Sequence, residues 1–407
     1  MHVLYVVGAC LTKNTSANMS HNGYVQGLLE NGCDVDILMA EDSWGQEDKG
    51  LPTWTQARYF RYVSTSVQDK LRKKLRGTAT VAVSASGNGS AEGVARPRKS
   101  LKAMIRSAAK ALFYKCFPND PLYPLEATWL KKASHFRSET TYDLVISNSS
   151  PAASHKLVGM LLKKGRLKCK RWVQIWEDPW YYDLYGGHSE LVKEEEHALL
   201  REATEVYYVS PLTLKYQQKY FPDCADKMKH IPLPYFDFSA EESGSVSICS
   251  FGYFGDYSSH TRNLRPFYEA LARSGQIGYI YGDSDLVLQA TEKIEVSGRV
   301  TLDRLAEVQA KTKCLVHLCN LQGGQIPGKI YHYSATTKPI LFILDGTQEE
   351  KVLLEAYFSQ FDRFYFCDNT VDAICNAISE ICAEDRSWTP LAAFSPKAVV
   401  NQLLEKK

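Results

Sequence analysis

The feature that most constrains this 407-residue chain is a rhythm that runs, stops and begins again: short apolar runs alternating with segments of helical spacing. The first series opens with the apolar run from His2 to Cys10, which predicts a buried strand. Residues 12–22, rich in Asn, Ser and Thr, read as a loop. A helix through Tyr24, Leu28 and Leu29 stops near Gly32, and Val35 to Met39 form the next strand. A strand-helix-strand unit of this size requires parallel pairing with a right-handed crossover. Further strands are expected at 143–146, 172–176 and 205–209. Helices run through Leu157, Met160 and Leu161 and after Ser210-Pro211. Residues 230–234 carry two prolines, which cannot donate to a ladder, and read as an edge segment.

After the polar stretch 239–245 the rhythm restarts. A strand at 247–251, a glycine turn at 252–255 and a helix at 264–273 are followed by strands at 278–281 and 295–297. A helix at 303–310, a strand at 314–318, a helix at 329–335 and a strand at 339–344 complete it. Two such series predict two doubly wound α/β domains, 1–240 and 241–385. A final helix in 386–407, through Val399, Leu403 and Leu404, is expected to cross back onto the first domain.

The net charge of +2 argues against a dominant nucleic-acid role but hides an asymmetry. Residues 70–115 hold twelve Lys or Arg against one acid, Glu92, so the rest of the chain is net acidic. The middle of that insertion is Gly/Ser/Ala/Thr-rich and reads as disordered. Its end places Leu101, Met104, Ile105, Ala108 and Leu112 at helical spacing beside the basic row Lys102, Arg106 and Lys110. That pattern suits an anionic membrane surface, and equally an ordinary packed helix with a solvated basic face. Eleven cysteines occur with no CxxC pair, so no zinc site is expected, and the thiols read as reduced and packed. No run of about eighteen apolar residues is present, and the first strand lacks the basic start of a secretory leader. The expected location is cytoplasmic, with peripheral attachment to a membrane through 70–115. The run Glu194 to Glu196 reads as a solvated helix face.

The stretch from Gln322 to Phe342 carries the chemistry. A strand ending near Leu318 meets a glycine loop and then a helix that starts at Lys329. Glycines let backbone amides approach a ligand and a helix start favours negative charge, an arrangement suited to a diphosphate. Lys329 would add a point charge. A nucleotide-triphosphatase loop is rejected, because Ile330 stands where a magnesium-binding Ser/Thr is needed and Pro327 removes a donor. A dehydrogenase would want GxGxxG after the first strand, yet no glycine lies between Gly8 and Gly23.

With its loop, Lys329 and Lys338-Pro339, this stretch resembles the donor-binding signature of retaining glycosyltransferases with the GT-B fold, two Rossmann-like domains facing across a cleft. Within that fold it resembles the family 4-like transferases of bacterial capsule, O-antigen and exopolysaccharide synthesis. Phe251 to Asp256 with Arg262, Tyr279 to Asp283, Val296 to Val300, Tyr142 to His155 and Trp172 to Trp180 resemble that family in the same order. The resemblance implies a UDP- or GDP-sugar as donor substrate, no tightly bound cofactor and no metal. It places donor contacts at Gly255, Arg262, Gly282, Gly298, Arg299, Gln325, Ile326, Gly328, Lys329 and His332. The catalytic groups would be Asp178, Arg262 and Lys329. The acceptor, a glycan, a lipid-linked sugar or a protein, would meet Asn14, Ser16, Asn18, His155 and Asp178. The family's paired glutamates fall at Gly324 and His332 here, neither acidic. That departure motivates a rival, a non-catalytic glycosyltransferase-like binding subunit; an epimerase on the same fold is a third possibility. Arg262 has a surface ion pair as its bland alternative and Arg265 as a substitute in the same role. Asp178 has turn capping before Pro179, and His155 has helix packing.

Overall fold

The computed structural model describes residues 1–13, 15–41, 51–66, 120–184, 188–236, 248–386 and 388–405. Asn14, the basic stretch 70–115 with its expected helix, and the polar stretch 239–245 lie outside the described residues. The N-terminal lobe runs β1 (His2–Val7), α1 (Ser16–Glu30), β2 (Asp34–Glu41), β3 (Arg58–Val63), α2 (Ala127–Ala133), β4 (Leu144–Asn148) and α3 (Ala153–Lys163). It continues through β5 (Trp172–Trp176), α4 (Glu190–Glu202), β6 (Glu205–Tyr208), α5 (Pro211–Tyr220) and β7 (Met228–His230). The strands form one parallel sheet in the order β3-β2-β1-β4-β5-β6-β7.

The C-terminal lobe holds β8 (Ser250–Phe254), α6 (Arg265–Ser274), β9 (Ile277–Tyr281), β10 (Ile294–Ser297), α7 (Leu302–Lys311) and β11 (Cys314–Leu318). After these come α8 (Lys329–Tyr333), β12 (Ile340–Leu344), α9 (Gln348–Phe358), β13 (Phe364–Asp368) and α10 (Val371–Ala383). Its sheet is also parallel, in the order β10-β9-β8-β11-β12-β13. In both sheets the order reverses beside the first strand of the lobe. At that point crossovers leave on opposite faces and a crevice opens beyond the strand ends.

Local chemistry explains where these elements begin. Thr15, Ser189, Ser210, Thr301, Thr347 and Thr370 each accept a backbone N–H of the helix they precede, from α1, α4, α5, α7, α9 and α10 respectively. Each such cap is worth about 1 kcal/mol. The Thr15 cap starts α1 earlier than the composition of 12–22 suggests, so Ser16 and Asn18 are helical. Gly252, expected in a turn, lies within β8, where a Cβ would come 2.4 Å from the Phe254 ring. A strand was not expected at Arg58–Val63.

The final helix α11 (Pro396–Leu404) packs against α1 so closely that a Cβ on Gly27 would lie 2.1 Å from the Pro396 carbonyl. Val399, Val400 and Leu403 are buried there. The chain reaching it is held by buried Arg363, whose guanidinium donates to the carbonyls of Thr336 and Thr389. One apolar cluster runs from Val3, Tyr5 and Tyr24 through Val400 to Tyr331, Phe342 and Phe394, so the lobes share packing rather than meeting only at a linker.

Two further expectations fail. Cys249 and Cys382 form a disulfide, where all thiols were expected free. The fold brings the residue just ahead of β8 beside the end of α10, a proximity invisible at a separation of 133 residues. Glu196, expected on a solvated face, is fully buried. Its neighbours Glu194 and Glu195 stay nearer solvent, because three consecutive helical residues cannot share one face.

Candidate functional site

The site is built from the C-terminal strand ends of both lobes. On the N-terminal side β5 ends in Glu177 and Asp178, whose side chains diverge. Glu177 turns inward, 3.7 Å from His21 Nδ1, and keeps 9% of its side chain exposed. The Asn148 amide donates to the Tyr5 hydroxyl at 2.9 Å, leaving that hydroxyl to donate to His21 Nδ1 at 3.0 Å. Burial raises the Glu177 carboxyl well above the usual carboxylate range, with the Asp178 charge adding to the effect. Burial also lowers His21 to about 4. At neutral pH the His21 ring is therefore uncharged.

Asp178 faces the cleft and remains accessible to solvent. The protein around it raises its carboxyl, Asp183 adds to the rise, and a hydrogen bond from Gln325 opposes it. That bond is short, Gln325 Nε2 to Asp178 Oδ1 at 2.5 Å, and crosses between lobes. The same carboxamide accepts from the Leu184 amide at 2.9 Å.

On the C-terminal side the turn after β8 passes the turn after β9. A Cβ on Gly282 would lie 1.9 Å from the Gly255 carbonyl, so no other residue fits there. A Cβ on Gly255 would sit 3.4 Å from Lys329 Cε, which places the lysine stem across that glycine. Lys329 is lowered from the ordinary lysine value by burial. Asp256 opposes that effect, and Arg262 and Arg299 add to it. Arg262 is held through its backbone, paired with Ser258 at 3.0 and 3.1 Å, while its Nε is buried without a partner. Among the described residues neither Arg262 nor Lys329 has a carboxylate within ion-pair distance. Two cations that repel each other stand at one glycine turn without an ion pair of their own; the Asp256 charge acts on both from its pair with Arg299, and a bound anion would relieve both.

His332 adjoins them. Burial, with Lys329 second, lowers it to about 4, so the ring is neutral; its Nδ1 is buried without a partner. A neutral imidazole there can meet a hydroxyl. Arg299 is committed elsewhere: its guanidinium pairs with Asp256 and Asp283, and its amide donates to Asp283. A Cβ on Gly298 would meet that same Asp283 carboxylate at 3.2 Å. Gly328 opens α8, close to Leu233 of the other lobe, and Ile326 packs on the shared apolar cluster.

The glycine loop does not wholly face a ligand. Gly323 and Gly324 have φ of +102° and +68°, and they dock on the N-terminal lobe. The Gly324 carbonyl accepts from Ser210 and Thr213 at 2.9 and 3.0 Å, and a Cβ there would lie 2.6 Å from the Tyr216 ring. A glutamate at 324 would meet both obstacles, which gives a steric reason for its absence.

The acceptor-side expectations divide. A pocket of about 300 Å³ opens beyond β1, lined by Gly8, Cys10, Lys13, Asn18, Glu126 and Trp129 among others. Asn18 belongs to its wall, but the Asn18 amide nitrogen is spent on the carbonyls of Cys10 and Lys13. Ser16 is exposed at the first turn of α1. His155 has no face toward the cleft: it is fully buried, bonded to Ser147 at 2.8 Å and packed 4.2 Å from the Trp176 ring. Burial lowers it to about 3. Helix packing is therefore its place. Nothing along the chain marks Leu184 or Tyr216 as part of the site, since each meets the glycine loop only through tertiary contact.

A sucrose-phosphate synthase from Thermosynechococcus elongatus superposes on this chain with a TM-score of 0.53, covering 98% of this chain and 92% of its own at 14% identity. The fold is GT-B. Lower scores are found for the lipopolysaccharide outer core galactosyltransferase WaaB (0.47; 11% identity, 100% of each chain). The same holds for a UDP-GlcNAc 2-epimerase from Methanocaldococcus jannaschii (0.45; 11% identity, 99% of each chain). These two carry no argument of their own. No protein-family model and no curated protein matches the sequence. Among the described residues, no helix of this GT-B chain is long and apolar enough to cross a membrane.

Proposed function

We propose that the chain is a glycosyltransferase that moves a hexose-type sugar from a UDP- or GDP-sugar to a glycan or lipid-linked acceptor with retention at the anomeric carbon. The observation that carries this reading is the pair of cations without an ion pair, Arg262 and Lys329, beside the glycine turn at Gly255. In such a transfer the bond from the anomeric carbon to the diphosphate oxygen breaks, and the acceptor oxygen takes its place. Negative charge grows on the departing diphosphate, and cations already in place, the buried Lys329 among them, stabilise it without reorganising. His332 would meet a hydroxyl of the donor, and Asp178 would orient the acceptor hydroxyl or take its proton.

The charge of 70–115 supports an acceptor held at an anionic surface, in a cytoplasmic protein engaged in surface polysaccharide or glycoconjugate synthesis. A second reading, a non-catalytic subunit that binds a nucleotide or glycan, draws on Gly324 and His332, where no carboxylate faces the donor side. Turnover measured over a panel of UDP- and GDP-sugars with candidate acceptors separates the two. Glycosylated product with the donor's anomeric configuration supports transfer with retention. An inverted product removes retention. Nucleotide binding with no product in any pairing favours the second reading.

A further inference from the structure

We propose that Glu196 is a positioning residue for Asp178, its buried carboxylate fixing the turn that offers Asp178 and the Leu184 amide to Gln325. This rests on the acceptor-side role given to Asp178 above. Glu196 stands on α4 and is fully buried. Its Oε2 accepts from the Tyr181 amide at 2.7 Å, and its Oε1 accepts from the Trp180 amide at 3.2 Å and from Gln217 Nε2 at 3.3 Å. Two consecutive amides thus meet the two oxygens of one carboxylate, immediately after Asp178-Pro179.

The turn has left the β5 ladder, so those amides have no strand partner, and an unpaired buried amide is costly. Ring contacts pack its outer edge: Trp180 lies 5.3 Å from the Tyr123 ring, and Tyr182 stacks 3.5 Å from the Tyr220 ring. Its amides at Trp180 and Tyr181 are held by Glu196, while His188 Nδ1 meets the Tyr181 carbonyl. Burying a carboxylate there has a cost, since burial raises it to about 7 against the three bonds that favour ionisation. What the cost secures is the spacing of the turn's two ends. Asp178 Oδ1 and the Leu184 amide are the acceptor and donor that grip the two ends of one carboxamide, Gln325. A slack turn would lose that paired geometry while leaving the cations of the other lobe in place.

The test uses two variants of the full chain. Glu196→Gln keeps the shape but turns an NH2 group toward an amide donor. Glu196→Asp keeps the charge but withdraws it by about 1.5 Å, one C–C bond length. In Glu196→Gln, amide exchange in 180–184 should accelerate about tenfold, the loss of one hydrogen bond to a charged group, while α4 and β5 keep their protection. Glu196→Asp should show a smaller acceleration at the same place, and it decides the matter if the Gln variant does not fold. In the transfer assay kcat should fall about tenfold with the donor KM within about twofold, because the donor's cations are untouched. Unchanged exchange in 180–184, acceleration spread equally over α4 and α5, or a loss confined to the donor KM would each overturn the proposal. If the unaltered chain transfers no sugar, the proposed activity fails, and the exchange measurement still decides what Glu196 does.

Discussion

Gln325 and Asp178 belong to different lobes, yet the carboxamide of one donates to the carboxylate of the other at 2.5 Å. The bond favours the ionised form of Asp178 against the rise imposed by its surroundings. Removing it with Gln325→Ala should raise the Asp178 pKa further. The acid limb of the pH-rate profile should then move to higher pH, since the base form appears only above the new value. An unmoved limb in the variant would separate Asp178 from the rate-determining proton.

The crossing of the turns after β8 and β9 should tolerate no side chain. Gly282→Ala puts a carbon 1.9 Å from the Gly255 carbonyl, which must shift. Overpacking of this kind costs about 1–3 kcal/mol, and chemical denaturation should show it. Gly32→Ala, with nothing within 4 Å of its Cβ but a φ of +71°, separates backbone strain from collision and should cost less.

The Cys249–Cys382 bond encloses the whole C-terminal lobe between its first strand and its last packed helix. Chain-entropy arguments assign a loop of this length about 4–5 kcal/mol, less where the unfolded chain keeps structure. Reductant should therefore lower the denaturation midpoint of the unaltered chain and leave a Cys249→Ser, Cys382→Ser double variant unmoved. An equal response in both would show that the bond does not stabilise the lobe.

Acid should remove one contribution in a defined window. Burial disfavours the Glu205 carboxylate, but hydrogen bonds from Arg171, Lys229 and Tyr207 outweigh it and hold the group at about 2. The folded value lies below the ordinary one of 4.5. Its stabilisation is thus fully present above pH 4.5 and disappears as pH falls toward 2. Glu205→Gln should lower the Tm at pH 7, and the gap from the unaltered chain should close across that window. A constant gap would contradict the assignment.

The two-lobed fold was legible because its central strands are buried on both faces. Strands such as Trp172–Trp176 and Cys314–Leu318 read as short apolar runs, each interrupted by one polar residue (Gln174 and His317), and the structure reproduces their limits. Edge strands were not legible. Arg58–Val63 interleaves arginines with aromatics, and its register depends on pairing with β2. Lys329 could be singled out because glycines and a helix start flank it locally, and Arg262 because residues 251–262 resemble the opening turn of the family's donor domain. The Gln325–Asp178 bond, the inward turn of Glu177 and the burial of Glu196 depend on which faces the two lobes present to each other. No spacing along the chain carries that information. The disulfide was hidden for the same reason.

The central claim is that Arg262 and Lys329 hold a diphosphate, and calorimetry tests it most directly. UDP or GDP should bind the unaltered chain saturably, with the corresponding monophosphate clearly weaker. Arg262→Met and Lys329→Met should each weaken the diphosphate about ten- to a hundredfold, the worth of one hydrogen bond to a charged group, without lowering the Tm. Equal affinity in the double variant, or no binding of any nucleoside diphosphate to the unaltered chain, would contradict the account.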